Sequence, residues 1–77
     1  MNVKNTTLIV VLSDASHRVT SWPILITRAE WLAALASIAR EARAAGTSIH
    51  GAQLLAGLLA VAYDAKACAA LVAEGTP

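Results

Sequence analysis

The sequence predicts one small α+β domain: an N-terminal β-hairpin followed by two or three α-helices, assembled as a dimer. Three observations lead there. Residues 6–12 are a β-branched apolar run. Residues 27–46 carry both a start and a stop signal for a helix. Residues 49–63 are apolar on nearly every face of a helix. The 77 residues allow a single domain, spanning 1–77.

The run Thr6–Leu12 reads as a strand buried on both faces, because apolar residues do not alternate with polar ones along it. Residues 13–17 (Ser-Asp-Ala-Ser-His) follow as a loop, since Ser and Asp side chains bond to their own backbone in turns. A second extended segment covers about 18–26. Pro23 has no N–H for a ladder, so this strand is expected at an edge, or bent at that residue.

The first helix has a defined beginning. Thr27 and Glu30 form a T-x-x-E capping box, and Ile26 and Trp31 occupy the hydrophobic-staple positions around it. Loss of the Thr27 hydroxyl would cost about 1 kcal/mol. Trp31, Leu35, Ile38 and Ala42 fall at 3-and-4 spacing as a buried stripe, widened by Leu32 and Ala39. Arg40 and Arg43 suit the negative end of the helix dipole. Gly46 supplies a left-handed stop.

A second helix is expected from a Thr47 or Ser48 cap, with Leu54, Leu55, Leu58, Leu59 and Ala62 as a wide apolar face. Ala52, Ala56 and Ala60, four apart and flanked by Gly57, would let another helix approach closely. That neighbour is either the first helix of the same chain or the second helix of another copy. In the second case Ala52, Leu55, Ala56, Leu59 and Ala60 form a homodimer seam. Asp64 is placed to break this helix and cap a third over 65–74, closed by Gly75.

Composition supports an interface. Apolar residues make up 57% of the chain and charged ones 14%, against about 45–50% and 25% in ordinary domains. Eighteen alanines account for much of the excess, but ten Leu, five Ile, six Val and two Trp remain. The six basic residues are scattered and the net charge is +1. Charge alone therefore does not favour nucleic acid, whose binding rests on several phosphate contacts. The apolar stretch 51–63 has 13 residues and includes Gln53, short of the ~20 that a membrane span needs.

Catalytic groups are scarce. Ser13, Asp14, Ser16 and His17 are crowded into one turn, where a preorganised triad is not expected. Two histidines and one cysteine give no metal-ligand spacing. No glycine-rich phosphate loop follows the first strand. Cys68 sits among alanines at helical spacing and reads as a small core residue. With this cysteine usage and no secretion signal, the expected compartment is reducing and cytoplasmic. The expectation is a non-enzyme with no cofactor and no metal. Trp31 is expected in the core. Trp22 and Pro23, with Asp14, His17 and Arg18, are the candidate partner-binding residues.

From Trp22 onward the order is strand, helix, Gly46-Thr47-Ser48 junction and apolar helix. This resembles the ribbon-helix-helix family of dimeric DNA-binding repressors and antitoxins. The resemblance implies that residues 24–27 end a ribbon paired with its twin, and that Leu54, Leu55, Leu58 and Leu59 form the shared core. Arg18 and Arg28 would then contact DNA. Apart from Arg18, neither face of this ribbon offers side chains suited to bidentate reading of bases. The leading expectation is therefore a non-enzymatic protein-interaction module, such as a phage- or plasmid-type accessory or inhibitory protein that binds a host protein. The alternative is a ribbon-helix-helix-like transcriptional regulator or antitoxin.

Overall fold

A computed structural model describes residues 4–76. Six elements follow one another: β1 (Thr6–Leu12), β2 (His17–Trp22), α1 (Arg28–Ala44), β3 (Ile49–Ala56), β4 (Leu59–Asp64) and α2 (Ala65–Gly75). The four strands form one antiparallel sheet in the order β2-β1-β3-β4. The α+β class is as expected, but in place of an N-terminal hairpin followed only by helices, β1 and β2 form half of a four-stranded sheet whose other two strands come after α1. The expected second helix is not present.

Residues 49–63 instead lie within a second hairpin, β3–β4, so the domain is two hairpins and two helices in alternation. Alanine and leucine favour helix, but only by tenths of a kcal/mol per residue. Tertiary pairing outweighs that preference here. β1 is a central strand and needs a ladder on both sides. β2 satisfies one side, with Leu8 opposite Thr20 and Val10 opposite Arg18. β3 satisfies the other, with Leu8 opposite Leu54 and Val10 opposite Ala52. Gly57, at φ 61°, makes the two-residue turn that closes β3 onto β4.

Burial in β1 alternates strictly: Thr6, Leu8, Val10 and Leu12 are buried, and Thr7, Ile9 and Val11 are partly exposed. β1 therefore has one covered face and one half-covered face, where the sequence suggested burial on both. Both helices lie on the covered face. Leu8, Val10, Leu12, Ala52 and Leu54 from the sheet meet Trp31, Leu32, Leu35, Ile38, Ala42, Cys68 and Leu71 from the helices. Trp31 stacks on Tyr63 with ring centroids 6.0 Å apart.

Helix α1 follows its sequence signals. The Thr27 hydroxyl accepts from the Glu30 amide, and the Glu30 carboxylate accepts from the Thr27 amide at 3.2 Å. At the other end, the Thr47 N–H donates to the Ala42 carbonyl and the Gly46 N–H to the Arg43 carbonyl. With Gly46 at φ 78°, this pair of bonds is a Schellman stop. The Asp64 carboxylate accepts from the Ala67 amide at 2.8 Å and starts α2, where a capped third helix was expected. α2 ends against α1 at Gly75. A Cβ there would sit 2.8 Å from the Leu32 carbonyl oxygen, so the contact requires glycine.

Candidate interaction surfaces

The partner-binding residues expected from sequence lie along β2 but do not gather in one patch. β2 ends at Trp22, immediately before Pro23, and is an edge strand as expected. Asp14, His17 and Arg18 are at its beginning, and Trp22 and Pro23 at its end. Five residue steps along the strand separate His17 from Trp22, about 17 Å.

Asp14 is committed to its own turn. Its carboxylate accepts from both the amide and the hydroxyl of Ser16, and these bonds hold its pKa below the usual carboxylate value. The same turn is tied to the α1–β3 junction, where the Ser13 N–H donates to the Ser48 carbonyl at 2.8 Å. Arg18 donates to the His17 carbonyl. Trp22 is half-buried and packs against the edge of the core.

Arg28, the other candidate DNA contact, faces Glu74 across the two helices. Its Nε and Nη2 donate to the two carboxylate oxygens at 3.1 and 2.9 Å. Its guanidinium also lies 5.5 Å from the centroid of the Trp31 ring. The pairing raises the Arg28 pKa and lowers that of Glu74. This ion pair joins the start of α1 to the end of α2 and neutralises the cation.

The residues expected to form a dimer seam along one helix are distributed over the second hairpin. Ala52 is buried beneath the helices. Leu55 and Ala60 are cross-strand partners on the opposite face, and Ala56 pairs with Leu59 beside the turn. A helix-to-helix seam through these residues is therefore ruled out by their strand geometry. Leu59 and Ala60 remain exposed on an outer strand.

Cys68 is 1% exposed and its thiol is directed to the Tyr63 carbonyl. Burial pushes its pKa up, which disfavours the thiolate. Among the described residues no group of three or more His, Cys, Asp or Glu side chains could hold a metal ion. Nor is any helix among them long and apolar enough to cross a membrane. An open groove of about 500 Å³ runs between the helices, lined chiefly by small side chains such as Ala39, Ala69 and Ala73, with Arg43 at its rim.

Two features were not anticipated from sequence. The first is an apolar end of the sheet. Ile24, Leu25, Leu58 and Leu59 are 60%, 56%, 87% and 63% exposed. They belong to one end because Thr6 links the strands there. Its hydroxyl donates to the Ile24 carbonyl and accepts from the Ile26 amide, and Thr6 also pairs with Ala56 next to the turn. The signal is present in Ile24-Leu25 directly after Pro23, but an extended segment over about 18–26 hides it, because β2 in fact stops at Trp22. The second feature is the free outer edge of β4, which a helical reading of 49–63 conceals.

No family model, curated protein or solved structure matches the chain.

Proposed function

We propose that this protein is a non-enzymatic interaction module that acts by covering part of another protein's surface, as a small accessory or inhibitory protein would. One observation carries the reading: Ile24, Leu25 and Leu58 are exposed at the same end of the sheet, next to the half-buried Trp22. Burying a large aliphatic side chain contributes about 1.5–3 kcal/mol. Large aliphatic side chains left in water at one end of a domain offer surface that a protein partner can cover.

The test uses immobilised intact chain beside an Ile24→Ser, Leu25→Ser double variant whose fold is checked by circular dichroism. A defined protein retained by the parent and lost from the variant supports the reading. Identical capture by both removes this end from the contact surface. Duplex DNA retained at low salt, and lost on changing Arg18, would replace the reading with the regulator alternative.

A further inference from the structure

We propose that the outer edge of β4 pairs antiparallel with the same edge of a second copy, giving a homodimer with one continuous eight-stranded sheet and Val61 on the two-fold axis. Leu59 and the neighbouring Leu58 belong both to this edge and to the apolar end, whereas Ile24 and Leu25 follow β2, the strand at the other edge of the sheet.

The first support is the state of the edge. Natural edge strands are blunted by charge, proline or bulges. Residues 59–63 of β4 carry none of these: Leu-Ala-Val-Ala-Tyr, without charge or proline, and in unbroken register with β3. The chain's other edge is protected, with Arg18 in β2 and Pro23 immediately after it.

The second support is hydrogen-bond direction. Gly57 and Leu58 are the two central residues of the turn between Ala56 and Leu59. In such a turn the N–H of the fourth residue bonds to the carbonyl of the first, so the backbone groups of Leu59 point inward to β3. Antiparallel ladders alternate, so Val61 and Tyr63 also point inward. Ala60 and Ala62 therefore direct their N–H and C=O groups outward.

The third support is self-complementarity, which selects a second copy as the occupant. A two-fold ladder places residue 61+k opposite 61−k of the twin. Ala60 then faces Ala62 of the twin, and their outward groups form the hydrogen-bonded pairs. Val61 faces Val61 in a non-hydrogen-bonded pair. Leu59 faces Tyr63 on the helix side. The pattern large-Ala-Val-Ala-large is symmetric about Val61. Asp64 falls opposite Leu58, so no like charges meet. Among the described residues of one chain, these five have a ladder partner on only one side. A sheet joined in this way has β2 at both outer edges, and those edges are protected.

The experiment measures the mass of the intact chain by light scattering across a concentration series. The parent should give twice the 8.0 kDa of one chain. Ala60→Pro removes an outward N–H that pairs with no strand among the described residues, and should halve the mass while the circular dichroism is kept. Ala60→Lys should do the same and serves if the proline variant fails to fold. Val19→Lys, on the other edge, and the Ile24→Ser, Leu25→Ser variant should leave the mass unchanged. Under oxidation, Val61→Cys should form a covalent dimer, because Cα atoms in a non-hydrogen-bonded pair lie within disulfide reach. Ala62→Cys should not, because residue 62 of the twin is on a diagonal about 7–8 Å away. The one native thiol, Cys68, is buried. A parent that is monomeric at every concentration overturns the proposal. So does a dimer that survives both Ala60 variants, or one that Val61→Cys fails to cross-link.

Discussion

Each hairpin ends in an outer strand of six residues, β2 and β4, but the two strands treat solvent differently. β2 carries His17 and Arg18 and stops at Pro23. β4 is uncharged until Asp64. A guarded edge opposes strand addition and an unguarded one permits it. This asymmetry bears on assembly size. If both edges were open, copies could add in either direction without closing. With one open edge, pairing about a two-fold axis ends at two copies, which is the closed symmetry most common in homo-oligomers. The strand next to each edge differs as well. β2 lies beside β1, whose alternate side chains are fully buried. β4 lies beside β3, where Ala52 and Leu54 are the buried pair.

The largest effect is expected in the strand that both hairpins depend on. Leu8 is fully buried and stands between Thr20 of β2 and Leu54 of β3. Leu8→Ala should cost about 2–5 kcal/mol. For a domain of this size, with a stability of about 4–12 kcal/mol, that is a large share. Val19 is 63% exposed on β2, and Val19→Ala should fall within about 0.5 kcal/mol of the parent. Urea midpoints separate the two. Equal losses would mean that the β2 edge contributes to stability as the central strand does.

The two turns provide a smaller and opposed pair of effects. The β1–β2 turn places Ala15 at φ 71°, in the left-handed region that costs a residue with a Cβ about 1–2 kcal/mol. The β3–β4 turn places Gly57 at φ 61°. Glycine's greater freedom in the unfolded chain offsets part of that difference, by about 0.4–1 kcal/mol. Ala15→Gly should therefore stabilise the domain by about 0.5–1 kcal/mol, and Gly57→Ala should destabilise it by a similar amount. Thermal or urea unfolding of the two variants checks the signs. A destabilised Ala15→Gly would show that the Asp14–Ser16 bonds, not the backbone angle, set the conformation of the first turn.

The same contrast explains how much of the fold could be read in the chain. The first hairpin was legible because Thr, Val and Ile dominate β1, a polar turn follows, and Pro23 signals an edge strand, although the strand stops at Trp22 and does not run on to about residue 26. α1 was legible at both ends because capping is local: Thr27, Glu30 and Gly46 act within a few residues. Asp64 was legible as a cap for the same reason. The second hairpin was not, because Ala, Leu and Gly carry little local strand preference. Its structure comes from β1, some forty residues away along the chain. One clue was available: a central apolar strand with a single neighbour needs a second one. On the candidate surfaces, Trp22 and Pro23 were legible as edge features. Ile24 and Leu25 were absorbed into the strand, and the β4 edge was hidden by the helical reading.

The smallest effect concerns acid. The Asp14 carboxylate is depressed in the folded state by its bonds to Ser16. A depressed folded pKa stabilises the fold above the unfolded value, near 4 for an aspartate, and that contribution is lost as pH falls through the folded value. Asp14 is exposed, so the change in global stability should be slight. The local change should be specific, because Gly57 and Leu58 in the other turn have no titratable side chain. Amide exchange measured from pH 5 downward should show Ser16 losing protection before Gly57, whose N–H is held by the Asn5 carbonyl. Asp14→Asn should remove that pH dependence and leave Gly57 unaffected. If both turns open together in the parent, the first hairpin is not held at its tip by Asp14, and the difference between the hairpins lies in their edges alone.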